Sequence, residues 1–324
     1  MAAPSAAIAS YDRRVRQVEA QAQTAATRRL GEIVAKAGRD MAAAYVTEAG
    51  SLTSPVPETG RARLRAVIRR IVVAAATAML SELPHVMAAV ERLARQAAAA
   101  GTTRRVELSD QVRKGIAGLR KQVSDDLGQA RQLVDTLPLA GYSDVTTVLA
   151  KTSAPAHTVA ATARWATNQA ATDAAYAAAQ ADGVSRLWIA ERDACLTCLA
   201  YSGELAKPGR MFPAGRSFGT SSTVGEPVHG PPAHPNCRCR IVPYDGHALG
   251  VAFPQALQRE AERSVLRGDS AYASRPAQVA AADRLLKHGM DGVPSGLPET
   301  VKARARRKVA AGVQAWTPPG RRSR

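Results

Sequence analysis

The residues best suited to chemistry in this 324-residue chain are four cysteines and a histidine that lie near one another in the sequence. Cys195-Leu-Thr-Cys198 comes first, and His234-Pro-Asn-Cys237-Arg-Cys239 follows after a stretch rich in Gly and Pro. A Cys-x-x-Cys turn points two thiolates at one place, and a second pair from a distant loop can complete a tetrahedron around zinc. The spacing therefore predicts a structural Zn²⁺ site with these five residues as candidate ligands.

Five candidates compete for four places around such a metal. We favour the four cysteines as the ligand set, with His234 next, either as a ligand or as a hydrogen-bond donor to one. Two disulfides or a redox-active Cys-x-x-Cys are the alternatives, but no export signal is recognisable and a reducing cytoplasm disfavours disulfides. Residues 201–233 have few bulky apolar side chains, so a metal would supply order that burial cannot.

The catalytic motifs that such residues could otherwise serve are missing or out of place in the sequence. None of the six histidines has a Glu two residues later, as zinc deaminases require, and His-Glu-x-x-His does not occur. Gly215-Arg-Ser217-Phe-Gly219 matches the nucleophile elbow of esterases, but that elbow needs a strand before it and a helix after it. Pro213 precedes this match and a run of Thr and Ser follows it. We therefore predict no catalytic residue and treat Ser217 as a loop residue.

Long helices rich in alanine are the elements that must position these residues. Apolar residues make up 46% of the chain and aromatic residues only 4%, which disfavours an all-β protein. Short strands are predicted at residues 184–190 and 240–243, and the helical signal is interrupted around residues 138–155. Apolar residues at three- and four-residue steps predict helices near residues 11–48, 61–99, 108–127, 157–180, 254–267, 277–288 and 298–311. The predicted fold class is mainly α, with a small zinc-stabilised α/β module near residues 156–245.

The helix through residues 108–127 has the clearest amphipathic pattern. Its apolar seam faces either the core of its own domain or a helix of another protein, and we favour the first interpretation. The members of the seam recur at steps of three or four residues and are Leu108, Val112, Ile116, Leu119, Val123 and Leu127.

The chain is strongly basic, with 44 Lys and Arg against 27 Asp and Glu, a formal net charge of +17. Such a charge favours contact with a polyanion such as nucleic acid, although it also serves solubility alone. No run of about 18 uncharged apolar residues occurs, so the sequence predicts no membrane-spanning segment. A tail at residues 317–324 is expected to lack fixed structure.

The cysteine-containing region resembles the phage Mu F-like family of minor head proteins, also called phage head morphogenesis proteins. The resemblance covers about residues 156–245. It is carried, in order along the chain, by Arg164, Asn168, Trp188, Asp193, Cys195, Cys198, Gly203, the run Pro231-Pro-Ala-His234-Pro-Asn-Cys237-Arg-Cys239, and Pro243. Trp188 is expected in the core, Asp193 is expected to cap the turn before Cys195, and Arg238 either offsets thiolate charge or faces solvent.

This resemblance implies a minor capsid protein of a tailed phage or prophage. Such a protein would lie inside the head of the virion near the portal, after assembly in the host cytoplasm, and would assist head assembly and genome packaging or delivery. Its implied partners are the portal protein, a scaffold or major capsid protein, and phage double-stranded DNA. We expect three regions: a helical region at 1–150 that contacts portal or scaffold, the zinc-binding module at 151–245, and short helices with a basic tail at 246–324.

The best candidates for DNA contact lie near the C-terminus, where basic residues are dense and the only acidic one is Glu299. The alternative is a solvated helix face. The candidates are Lys302, Arg304, Arg306, Arg307, Lys308, Arg321, Arg322 and Arg324.

Two other functions compete with the head-protein interpretation. A capsid maturation protease or a toxin-fusion enzyme would need a nucleophile and base outside the cysteine region, yet residues 1–150 contain a single histidine, His85, and no cysteine. A cellular nucleic-acid-binding zinc protein would instead place DNA binding in the 156–245 module itself.

Overall fold

The computed structural model describes residues 6–100, 107–234, 237–246, 250, 252–287 and 298–311. These residues are mainly helical and include one small three-stranded sheet, which confirms the predicted fold class. The helices are α1 (Ala6–Ala49), α2 (Glu58–Ala99), α3 (Asp110–Thr136), α4 (Tyr142–Ala181), α5 (Leu196–Tyr201), α6 (Phe253–Arg267), α7 (Arg275–Lys287) and α8 (Glu299–Ala310). The strands are β1 (Ser185–Ile189), β2 (Leu205–Ala206) and β3 (Arg240–Tyr244).

The chain divides into two compact units. The first, here called the helical unit, comprises Arg16–Gln96 and Glu107–Thr167. The second, here called the cysteine unit, comprises Met1–Val15, Ala97–Val106 and Asn168–Arg324. The long helices α1, α2 and α4 contribute residues to both units.

The α3 helix shows how sequence pattern becomes packing in the helical unit. Ser109 caps its N-terminus, because the Ser109 side chain accepts a hydrogen bond from the backbone N–H of Val112. Every residue of the predicted seam is buried, and the seam extends about two further turns, to Ala130 and Val134. The apolar seam of α3 is therefore used for packing within the chain, as predicted.

The predicted interruption over residues 138–155 is wrong for most of its length. Only residues 137–141 break the helical path, with Leu139 in a left-handed conformation (φ 53°), and α4 then runs unbroken from Tyr142 through Pro155. A proline inside a helix removes one hydrogen bond. Val148, Thr152 and Val159 nevertheless keep one face of α4 fully buried, so tertiary packing outweighs the local preference.

By length and composition α2 could cross a membrane. An 18-residue window of this helix has a mean hydropathy of 1.5, and 33% of the window is buried within the protein. The core helix of a soluble protein passes the same test. Leu64, Ile68, Val72, Met79 and Leu83 supply the buried face of α2.

The cysteine unit is built around the three-stranded sheet, whose strand order is β2-β1-β3. Both neighbours of β1 are antiparallel to it. Trp188 of β1 is fully buried, as predicted, and stacks on Tyr201 of α5 with 4.7 Å between ring centroids. Phe212 meets the same indole edge-on at 5.2 Å. Aromatic side chains thus fill a core to which the nearby alanine-rich end of α4 adds little bulk.

Candidate metal centre

The register of the sheet brings the two cysteine pairs to the same end of the cysteine unit. Ile189, the last residue of β1, lies opposite Arg240, the first residue of β3. Cys195 follows β1 by a short turn and Cys239 directly precedes β3. In an antiparallel pair, the last residue of one strand lies beside the first residue of the other. The segments that carry the four cysteines therefore meet at this end of the sheet.

The first pair is held by the one-and-a-half-turn helix α5. Cys195 is its N-cap residue, and the Cys195 Sγ accepts a hydrogen bond from the Cys198 backbone N–H at 3.5 Å. The prediction that Asp193 caps this turn is wrong. Asp193 instead accepts a hydrogen bond from Arg238 at 2.5 Å. Cys195 caps the helix in place of Asp193, because the Cys195 sulfur accepts a hydrogen bond from a backbone N–H of the first turn that has no partner within the helix.

The second pair is anchored from both sides of its loop. The backbone N–H of Cys237 donates to the His234 carbonyl at 2.9 Å, which links two of the candidate ligands through the backbone. The buried side-chain amide of Asn168, on α4, donates to the Cys237 carbonyl at 2.7 Å. The helix preceding the sheet therefore fixes the loop on which Cys237 and Cys239 stand.

All five predicted ligands come together in the structure. The ligand atoms of Cys195, Cys198 and His234 lie within 4.8 Å of one another, and the Sγ atoms of Cys198, Cys237 and Cys239 do so as well. The Cys198 and Cys237 sulfurs are 3.6 Å apart. Two thiolates bound to one tetrahedral zinc are about 3.8 Å apart, given Zn–S bonds of about 2.3 Å. The cluster could therefore hold a metal ion, with donors that suit a soft or borderline cation.

The thiols strongly perturb one another. A hydrogen bond with the Cys198 thiol lowers the pKa of Cys195 to about 5, and His234 acts in the same direction. The hydrogen bond with Cys198 also lowers the pKa of Cys237 well below its usual value. The pKa of Cys198 is raised, because its thiol donates the hydrogen bonds to Cys195 and Cys237. The hydrogen bond with Cys195 raises the pKa of His234. These hydrogen bonds favour the thiolate at Cys195 and Cys237, and the thiolate is the form of cysteine that binds a metal.

Sequence reasoning missed a buried charge next to the cluster. The side chain of Arg240 is 4% exposed and donates to Asp12 of α1 at 2.9 Å and to Glu191 at 2.8 Å. A basic residue opening an otherwise apolar strand was the available signal. Its partner Asp12, 228 positions earlier in the chain, could not be identified from a single sequence.

A second buried arginine fixes the long loop between β2 and β3. Arg186 of β1 donates to the backbone carbonyls of His229 (2.8 Å) and Arg210. Its guanidinium also lies over the rings of Tyr176 and Phe212, at 4.6 and 5.6 Å from their centroids. Two distant points of the loop are thus tied to the central strand.

The remaining predicted residues lie elsewhere. In α8, Val301 and Ala305 are buried while Arg304, Arg306 and Arg307 are exposed. Lys302 and Arg306 form ion pairs with Glu299 at 3.7 and 3.1 Å, and Lys308 is half-buried. Arg321, Arg322 and Arg324 lie outside the described residues. Ser217 is 5% exposed, and its hydroxyl accepts the Gly219 backbone N–H at 2.9 Å.

Comparisons with protein-family models, with curated proteins and with solved structures find no match to this chain.

Proposed function

We propose that the cluster binds one Zn²⁺ and that this zinc is structural. The observation that carries the proposal is the arrangement of the five donors, three of which are cysteines exposed by 1% or less. Zinc suits such a set because it accepts thiolate and imidazole nitrogen in tetrahedral geometry. A catalytic zinc keeps one position open to water, whereas thiolate-rich, buried sites are usually closed.

A structural role also fits what surrounds the cluster. Residues 207–233 include no helix or strand among those described, apart from the isolated pairing of Phe212 with Val228. A metal that joins Cys195 and Cys198 at one end of this stretch to Cys237 and Cys239 at the other would close it as a loop. Ser217 in this loop is buried and lacks the strand and helix of a nucleophile elbow, which supports a function without enzymatic chemistry.

We further infer that the protein is a minor capsid or head morphogenesis protein of a tailed phage or prophage, located inside the head. The support is the resemblance together with the roles that its residues have here. Asn168 holds the Cys237 carbonyl, Trp188 fills the core, and Gly203 allows a close backbone approach to α6. Pro243 pairs in register with Arg186 of β1. The residues of the motif that lie in the cysteine unit thus serve one small module.

The portal protein, with scaffold or major capsid protein as a further contact, is the proposed protein partner. The test is capture of the portal protein encoded in the same genome by the purified full chain, beside Cys198→Ser and the control Arg238→Ala. We expect one zinc per chain by mass spectrometry and portal capture by the wild type and the control. Failure of the zinc-loaded wild type to capture portal, or a genome without portal and terminase genes nearby, would contradict the head-protein proposal.

The proposed nucleic-acid partner is phage double-stranded DNA, contacted through α8. Arg304 and Arg307 are exposed there, so Arg304→Gln with Arg307→Gln should weaken binding to duplexes of any sequence. A plot of the logarithm of the DNA-binding constant against the logarithm of salt concentration has a negative slope. This slope should become shallower by roughly 0.9 for each phosphate that the variant no longer neutralises. Arg39→Gln with Arg131→Gln, two exposed arginines of the helical unit, is the matched control for charge. An equal weakening in both pairs would mean that α8 has no special role.

A further inference from the structure

The five donors of the metal cluster differ in how firmly they are placed. Cys198, Cys237 and Cys239 are exposed by 1% or less, whereas Cys195 and His234 are half-buried. Cys198 belongs to both groups of donors that lie within 4.8 Å, so its sulfur is near all the others. Three sulfurs therefore form a buried base, and the remaining two donors lie on the more accessible side.

Cys195 and His234 are alternatives for one coordination position. The Cys195 sulfur, the Cys198 sulfur and a His234 ring nitrogen all lie within 4.8 Å of one another. Cys195 is the better placed of the two to bind the metal. Its sulfur accepts a hydrogen bond from the Cys198 backbone N–H at 3.5 Å, which orients the sulfur and favours the thiolate. The His234 carbonyl accepts a hydrogen bond from the Cys237 backbone N–H, and a ring nitrogen of His234 lies within 4.8 Å of the Cys195 sulfur. Its ring is thus close to the sulfur that it would replace.

We propose that Cys198, Cys237 and Cys239 are fixed ligands of the metal and that Cys195 is the fourth. His234 is a reserve ligand, which binds the metal in the fourth position only when the Cys195 sulfur is removed. This inference rests on the proposed zinc site. In the intact site His234 donates a hydrogen bond to the Cys195 thiolate. In the altered site a ring nitrogen binds the metal as neutral imidazole, with its proton on the other nitrogen. A nitrogen ligand binds about 0.2–0.3 Å closer to the metal than sulfur does.

The experiment replaces zinc with Co²⁺ in the full-length chain, because cobalt reports its ligands by absorption. Wild type and His234→Ala should both give the spectrum of a four-sulfur site. Cys195→Ser should keep one cobalt per chain, with its ligand-field bands shifted towards a three-sulfur, one-nitrogen site. Its thiolate-to-cobalt band should weaken as expected for losing one thiolate in four. Cys198→Ser, Cys237→Ser, and Cys195→Ser combined with His234→Ala should each lose tight binding.

Two outcomes would overturn the ligand assignment while leaving the metal site intact. One is that Cys195→Ser loses cobalt as completely as Cys198→Ser, a result to be repeated with Cys195→Ala so that it does not depend on one replacement. The other is that His234→Ala loses cobalt while Cys195→Ser keeps it. Arg238→Ala, which changes an exposed side chain between two ligands, is the control and should bind normally. Absence of metal from the folded wild type would instead overturn the proposed zinc site itself.

Discussion

Arg238 and Arg240 lie two positions apart on the same segment, yet their ion pairs differ greatly in burial. The Arg238 and Asp193 side chains are 43% and 55% exposed, whereas those of Arg240 and Glu191 are 4% and 12% exposed. Exposed pairs contribute about 0–1 kcal/mol, while removal of one partner from a buried pair costs roughly 3–5 kcal/mol because the other charge stays buried.

We therefore expect Arg240→Met to lower the free energy of unfolding of the zinc-loaded protein by about 3 kcal/mol. Arg238→Met, the matched control, should lower it by less than about 1 kcal/mol. Chemical denaturation of the two variants at equal zinc content measures both values. Equal decreases would show that the contact of Arg240 with Asp12 and Glu191 is not what stabilises this part of the cysteine unit.

Gly203 occupies a position where no other residue fits. Its φ is +79°, and an added Cβ would overlap the Pro254 carbonyl oxygen and crowd Gln258 of α6. Gly203→Ala should cost at least about 3 kcal/mol, since backbone strain and overpacking add together. Gly209→Ala is the matched control: its φ is +70° with open space around it, so strain alone should cost roughly 1 kcal/mol. Thermal unfolding of both variants separates the two contributions, and similar costs would refute the role of the close approach.

At the scale of elements, the long helices and the strands β1 and β3 could be predicted from the sequence, whereas the shortest elements, α5 and β2, could not. The seam of α3 repeats over five turns, so its period is visible in sequence and its burial follows. Helix α5 and strand β2 have 6 and 2 residues, too few for any period, and form because tertiary contacts hold them. The cysteine cluster was predictable because ligand spacing is local. The link from Asp12 to Arg240 was not, since it depends on how the whole chain folds.

Two glycines of α3, one turn apart, test how this helix packs. An added Cβ at Gly115 would overlap the ring of Trp165 on α4, whereas nothing lies within 4 Å of the same atom at Gly118. Gly118→Ala should stabilise the protein by up to about 1 kcal/mol, through helix propensity alone. Gly115→Ala should destabilise it by about 1–3 kcal/mol, because Trp165 must move. Urea denaturation of both variants gives opposite signs if the indole packs on Gly115, and two increases in stability would contradict that packing.

At the scale of the whole molecule, the ligands of the proposed zinc site all belong to one unit. None of the five donors lies in Arg16–Gln96 or Glu107–Thr167, the two segments of the helical unit. The helical unit has its own core, in which Leu64, Ile68 and Val72 of α2 pack with Val134 and Val148. Loss of metal should therefore act on one unit and spare the core of the other.

Calorimetry with and without a strong chelator measures this division. We expect removal of the metal to cost the cysteine unit several kcal/mol, and a decrease of about 5 kcal/mol would lower its Tm by roughly 10–20 °C for a unit of this size. The transition of the helical unit should stay within about 2 °C of its original Tm, because no donor was removed from it. Gly115→Ala supplies the reverse control, since it should move the helical transition and leave the chelator-sensitive one in place. A single transition that shifts as a whole under both treatments would mean that the two units unfold as one cooperative structure, with the metal stabilising the entire chain.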